Sequence, residues 1–213
     1  MKIRWFGHSC FLLTGEDGVR VLTDPFNEKV GYPLPAVPAD VVTVSHQHSD
    51  HNYTAIVQGR FTVIDSPGSF NTHGIEIHGY PTFHDAEAGH QRGDNVLFHI
   101  TLDGLAVVHC GDLGHVLTRE QAESVGRVDV LLLPVGGTYT IGCGEAIDLM
   151  HLLRPVVTIP MHYKTPAMSF PIQPVEPFVQ AAGGATRPGT TEIMLDAETL
   201  ANLAGVVVLD APN

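Results

Sequence analysis

The sequence predicts an α/β fold made of two βα layers that face each other. Three observations lead there. Short β-branched runs bounded by Gly and Pro dominate the first half, and helical windows interleave with strands afterwards. Strand groups and helices occur in both halves, although no repeat is visible in the residues themselves. The 213 residues carry neither a low-complexity stretch nor an interdomain linker, which suits one domain over 1–213, or one domain built from two similar halves.

The elements follow in order. Ile3–Phe6 and Phe11–Leu13 read as strands around a Gly7-His8-Ser9 turn, and Glu16-Asp17-Gly18 turns the chain into a third strand, Val19–Thr23. The loop from Asp24 to Asp40 holds Pro25, Pro33, Pro35 and Pro38, and is long enough to suggest a wall of a substrate pocket. Val41–Ser45 is a strand, Asn52–Gln58 a short helix, Phe61–Asp65 a strand, and Pro67-Gly68 a turn. Ile75–Phe83 is extended and ends at His84, and a polar loop, Asp85–Asp94, follows.

Val96–Thr101 and Leu105–His109 pair around Asp103-Gly104. Thr118–Val125 is a helix with Thr118 as N-cap and Gln121 in the capping-box position. Val128–Pro134 is a strand, Gly144–Leu153 a helix stopped before Pro155, and Val156–Pro160 a strand. Pro174–Ala182 is a helix ended by Gly183-Gly184. Ile193–Leu195 and Val206–Leu209 are late strands.

The formal charge of −12 argues against a nucleic-acid-binding surface, which needs a basic stripe. It permits an anionic substrate, because a metal site supplies local positive charge. Cys10, Cys110 and Cys143 show no zinc-finger spacing, so they read as reduced thiols of a cytoplasmic protein. The start of the chain lacks a secretory apolar region, and runs such as Val128–Val135 are too short to span a membrane.

The most informative segment is His46-Gln47-His48-Ser49-Asp50-His51, where four metal-binding side chains fall within six positions at a strand end. Alternate side chains of an extended segment share a face, so His46 and His48 converge on one centre. The chain then turns, and Asp50 and His51 can serve a second centre, about 3.5–4 Å away in a dinuclear site. Further ligands must come from elsewhere. His84, Asp112 and His162 each follow a strand, with His73, His78 and His90 as competitors of His84. Cys110 is a thiolate alternative on the Asp112 loop.

His8, Asp24 and His109 suit the hydrogen bonding that orients metal-bound imidazoles, or contact with substrate. Ordinary turn and core duty accounts for them equally well. Tyr163 and Lys164 follow His162 and are expected to face the pocket, where Lys164 could hold an anionic group. A solvated surface lysine accounts for Lys164 equally well.

HxHxDH, then a lone histidine, a Gly-Asp and a late histidine resemble the metallo-β-lactamase superfamily. Gly7-His8-Ser9, Thr23-Asp24-Pro25-Phe26, Val108-His109-Cys110-Gly111-Asp112, Leu133-Pro134-Val135-Gly136-Gly137 and Ile159-Pro160-Met161-His162-Tyr163 resemble its UlaG-like small metal-dependent hydrolases, which include L-ascorbate-6-phosphate lactonases. The resemblance runs by motif order from about residue 1 to about residue 183. It implies a four-layer αβ/βα sandwich, two mixed sheets flanked by helices. It implies one metal held by His46, His48 and His84, a second by Asp50, His51 and His162, and Asp112 bridging them. Gln47 and Ser49, where many members have glycine, and Cys143, commonly proline, depart from the pattern at positions that are not ligands.

The expected activity is hydrolysis of an ester, lactone, amide or related bond in a small polar or anionic substrate by a metal-bridged hydroxide. Asp50 orients the nucleophile and moves its proton. Two divalent ions are expected, zinc first, with manganese or iron as alternatives. A phosphodiesterase on the same site is the next reading. A di-iron redox protein fits less well, because such relatives carry Glu where His48 stands and an attached flavin domain. A non-catalytic metal-binding protein is the remaining reading. The expected partner is a small molecule, with a homo-oligomer suggested by family analogy alone, and neither nucleic acid nor membrane.

Overall fold

The computed structural model describes residues 1–212 and contains two mixed β-sheets. The first half supplies β1 (Lys2–Gly7), β2 (Cys10–Thr14), β3 (Arg20–Thr23), β4 (Val41–Thr43) and β5 (Thr62–Ile64). These join β12 (Glu192–Met194) in the order β12-β1-β2-β3-β4-β5. The second sheet runs β13-β11-β10-β9-β8-β7-β6. Its strands are β6 (Gly68–Thr72), β7 (Ile75–Phe83), β8 (Asp94–Leu102), β9 (Leu105–His109), β10 (Val130–Pro134), β11 (Val157–Met161) and β13 (Gly205–Val206).

Period-two alternation divides the first sheet between two apolar clusters. Ile3, Trp5, Phe11, Leu13, Val21 and Val41 join the main core with the second sheet. Phe6, Cys10, Leu12, Leu22, Val42 and Val44 face the other way and are covered by Phe26, Val30, Tyr32, Met168 and Ile172. The proline-rich loop is therefore a packing layer, closed by a 2.6 Å hydrogen bond between the Tyr32 and Thr165 hydroxyls. It does not wall the cavities beside the histidine cluster, as its length suggests, because Phe26, Val30, Tyr32 and Ala39 anchor it under the sheet.

Helices α1 (Arg119–Val125) and α2 (Cys143–Leu153) accompany the second sheet, and α2 also packs on α3 (Glu176–Ala181). The Thr118/Gln121 capping box forms as the residues require. Two local expectations differ, and one helix has no counterpart among them. The Asn52–Gln58 window holds only a 3-10 turn, Thr54–Ile56, with no capping side chain to extend it. The turn at Pro67-Gly68 leads directly into β6, a polar edge strand with no alternating apolar signal. The short helix α4 (Ala197–Asn202) is nucleated by Asp196, whose carboxylate accepts from the Glu198 and Thr199 amides.

β9, β10 and β11 are mutually parallel, as are β3, β4 and β5. The segments leaving the C-terminal ends of these strands carry Asp112, His162, Asp24 and the histidine cluster. In open α/β sheets ligand sites lie beyond such strand ends. Among the described residues no helix is long and apolar enough to cross a membrane.

Candidate metal centre

Three strand ends turn sharply enough to place non-glycine residues in the left-handed region: His8 (φ 51°) after β1, Asp24 (φ 40°) after β3 and His162 (φ 50°) after β11. Such backbone is costly for side-chain-bearing residues and persists where the surroundings impose it. Here it re-aims each side chain across the end of the sheet. The His162 amide donates to the His8 carbonyl over 3.3 Å, tying the two sheets together at the site.

Two groups of ligand atoms flank Asp112, beside a third made of Asp24, His46 and His51. His46, His48 and His84 form one set with mutual distances within 4.8 Å, and His8, His51 and His162 form another. Asp112 stands between them: its Oδ2 lies 3.3 Å from Nε2 of His51, His84 and His162, and 4.0 Å from that of His46. Asp50 borders the second set, with Oδ2 3.3 Å from His8 Nε2 and 3.8 Å from His51 Nε2. Several buried polar atoms here lack a hydrogen-bond partner, including Nε2 of His46 and His51, Nδ1 of His84 and His162, and Oδ1 of Asp112. Buried donors and acceptors are seldom left so. This chemistry, imidazole and carboxylate in convergent sets, fits divalent cations.

Outer contacts orient these groups. Asp24 is fully buried and accepts from His51 Nδ1 at 2.8 Å, from the Ser45 amide at 2.8 Å and from the Ser45 hydroxyl at 2.6 Å. Nδ1 of His51 thus carries the proton and Nε2 faces Asp112. His109 spans two loops, its Nε2 2.8 Å from the Ser9 carbonyl and its Nδ1 accepting from the Gly111 amide at 3.2 Å. Asn95 was not legible as a site residue. Its Oδ1 accepts from the Asp112 amide at 2.9 Å, while its Nδ2 donates to Thr82 and to the Cys110 carbonyl.

Electrostatics separates the groups. Burial, with the nearby His51, drives the His46 pKa down to about 3, and burial with His162 drives that of His8 to about 4, so both are neutral ligand-type imidazoles. For Asp112, burial alone would raise the pKa, but His162 and His51 hold it well below the usual carboxylate range. Burial likewise opposes ionisation of Asp50 and Asp24. His8 and His51 outweigh it at Asp50, and His109 and His51 at Asp24. His51 is the converse case: burial lowers its pKa, and Asp112 and Asp24 together raise it well above the ordinary value.

Two residues next to His162 stand elsewhere than expected. Tyr163 is buried with its ring centroid 5.4 Å from that of Trp5, in the core and away from the cavities. Lys164 directs Nζ to the Phe170 carbonyl at 2.9 Å, securing a loop. Both follow from the reversal at His162, which sends the next residues away from its own side chain. Of the competing histidines, His78 lies 2.9 Å from Ser69 of the edge strand β6, and His73 and His90 lie outside both ligand sets.

Two cavities meet the cluster. One of about 320 Å³ is lined by His48, Asp50, His84, Asp112 and His162, with Arg92, Tyr139 and Phe170. A larger one of about 550 Å³ lies on the far side of His46 and His48, bounded by Gln47, Asp65 and Arg92. The smaller is the one at the convergent ligands and is of a size for a small molecule.

Known proteins share both the chain and the fold. A family model described as a beta-lactamase superfamily domain matches residues 2–162. A UPF0173 metal-dependent hydrolase of Archaeoglobus fulgidus is 31% identical over 208 residues, covering 83% of this chain and 87% of that protein. The crystal structure of a candidate Zn-dependent hydrolase of the metallo-β-lactamase superfamily from Thermotoga maritima is 45% identical, with a TM-score of 0.83 over 99% of this chain and 98% of that one. A metallo hydrolase from Ignicoccus hospitalis shares the fold at 24% identity and a TM-score of 0.64, covering 100% of this chain and 96% of that one. With this span of matching sequence and fold, the chain belongs to the metallo-β-lactamase superfamily of metal-dependent hydrolases.

Proposed function

We propose that the chain hydrolyses an ester, lactone or amide bond of a small polar or anionic molecule at a dinuclear metal centre. His46, His48 and His84 would hold one cation, and Asp50, His51 and His162 the other. Asp112 is the shared ligand, and its Oδ2, 3.3 Å from histidines of both sets, is the observation that carries the reading. When bound, such cations supply Lewis acidity and lower the pKa of a coordinated water toward ~7. Zinc suits this donor set first, with manganese and iron as alternatives.

The remaining work falls to the protein. Asp50 is ionised, half-buried and in the lining of the smaller cavity, which supports the reading that it orients a nucleophilic water and helps move its proton. His8, 3.3 Å from Asp50, fixes the direction of that carboxylate. Asp24 fixes the His51 tautomer. The lactone and ester preference extends the resemblance to the UlaG-like lactonases. Two buried cysteines of the three free ones support a reducing, cytoplasmic setting.

The test combines metal analysis with a panel of lactones, aryl esters, amides and phosphodiesters. About two metal ions per chain are expected, with turnover lost on chelation and regained on adding zinc or manganese. Asp112→Asn should reduce both metal content and rate by at least about 100-fold in rate. Undiminished turnover in chelated protein, or full rate in the Asp112 variant, would overturn the reading.

A further inference from the structure

Arg92 is the basic side chain in the lining of the smaller cavity, and it borders the larger one as well. It belongs to the loop between β7 and β8, directly after His84. That loop is built to hold it. The Asp85 carboxylate accepts backbone hydrogen bonds from Glu87 at 2.8 Å, Gly89 at 3.0 Å, Gln91 at 3.0 Å and Arg92 itself at 2.7 Å. The His84 amide closes the loop on the Gly93 carbonyl at 3.0 Å. One short segment thus fixes a histidine of the cluster and the backbone of Arg92 together.

The guanidinium itself is largely uncommitted. Nη2 donates to the Thr138 carbonyl at 3.3 Å, and the group lies 5.9 Å from the Tyr139 ring centroid. Among the described residues Arg92 enters no salt bridge, whereas Arg20, Arg127 and Arg187 each pair with a carboxylate. Among the described residues Arg4, Arg60, Arg119 and Arg154 also lack a carboxylate partner, and of these unpaired arginines it is Arg92 that lines the cavity at the histidine cluster. Four of its five N–H donors have no acceptor among the described residues. The other basic candidate, Lys164, is bonded to the Phe170 carbonyl. The acidic groups of the same lining, Asp50 and Asp112, face the histidines. Tyr139 and Phe170 stand 6.4 Å apart edge to face and complete an apolar wall.

We propose that Arg92 anchors an oxyanion group of the substrate, a carboxylate or a phosphate monoester, while Tyr139 and Phe170 hold its apolar body over the histidine cluster. The planar guanidinium matches either oxyanion with two parallel hydrogen bonds. The substrate class becomes a small anionic ester or lactone whose negative group is remote from the bond that breaks. This rests on the hydrolase reading above for the identity of that bond, but not for the binding of the anion.

The experiment has a kinetic and a binding arm, both on metal-replete protein. The kinetic arm compares the 4-nitrophenyl monoester of glutaric acid with its methyl-capped neutral counterpart. Wild type should favour the anionic ester, and Arg92→Gln should cut the ratio of the two kcat/KM values by about 10- to 100-fold, with Arg92→Lys in between. A ratio unchanged by Arg92→Gln overturns the proposal. The binding arm titrates glutarate and glycerol phosphate calorimetrically. A Kd raised about tenfold or more in Arg92→Gln for either ligand upholds the anchor, and the ligand affected tells carboxylate from phosphate. Equal affinities in both proteins for both ligands overturn it. Absence of ester turnover in wild type would count against the hydrolase reading, leaving the binding arm to decide on Arg92. Equal metal content and melting temperature of the variants establish that fold and centre are intact.

Discussion

Nδ1 of His51 lies 2.8 Å from Oδ2 of Asp24, and both side chains are wholly buried. The residues are 27 positions apart, one after β3 and one beyond β4, and parallel pairing of those strands brings them together. Asp24 also caps Ser45 through two hydrogen bonds. Asp24→Asn keeps the shape but removes the charge, so the His51 tautomer and basicity change. Metal affinity should fall by about 10–100-fold, measured by competition with a chelator, with the fold retained by circular dichroism. Unaltered affinity would assign Asp24 to packing only.

Asp85, next to His84 in the chain, offers a pH dependence of its own. Burial favours its neutral form, but four backbone donors, Arg92 foremost, hold the pKa at about 2 instead of the ordinary 3.8. A depressed carboxylate pKa gives stability that is present above the unfolded value and lost as pH falls through the folded one. The Tm difference between wild type and Asp85→Ala should therefore be full above about pH 4 and close as the pH falls toward 2. At neutral pH the same variant should speed amide exchange at Gln91 and Arg92 by at least about tenfold.

Lys164 secures the segment that carries Phe170. Lys164→Ala should lower stability by about 1 kcal/mol, as loss of one partly exposed hydrogen bond does. It should raise KM for anionic and neutral substrates alike, since the wall moves and no charge anchor is lost. A selective loss of anionic substrates in this variant would move the anchor from Arg92 to Lys164.

Gly111 adopts φ +57° in the turn that delivers Asp112, and a Cβ there would fall against Asn95 Oδ1 and the Ser45 side chain. Both neighbours are committed to hydrogen bonds within the site. Gly111→Ala should cost about 1–3 kcal/mol in chemical denaturation and lower metal occupancy. Stability within 0.5 kcal/mol (roughly the scatter of neutral substitutions) would show that the turn yields freely.

The alternating and β-branched runs marked most strands before any tertiary structure was considered. Each such strand is buried on at least one face and carries that burial in its own residues. β6 and α4 escaped notice for the opposite reason. β6 is a polar edge strand fixed by its partner β7, and α4 depends on one capping aspartate. The Asn52–Gln58 window has no side-chain capping hydrogen bond and holds Tyr, Thr, Ile and Val, whose helix propensity is too weak to extend it beyond one turn.

By itself the sequence determined the chemistry available at the centre. HxHxDH at a strand end, and His84, Asp112 and His162 after later strands, follow from residue type and spacing, which are local properties. The tertiary structure decided which distant groups face one another. It placed Asp112 between both histidine sets, brought His8 to Asp50, buried Tyr163 against Trp5 and turned Lys164 to a carbonyl. It also left Arg92 beside the cavity without a carboxylate partner. Such pairings depend on strand order and on the left-handed turns at His8, Asp24 and His162, and neither is encoded within a window of a few residues.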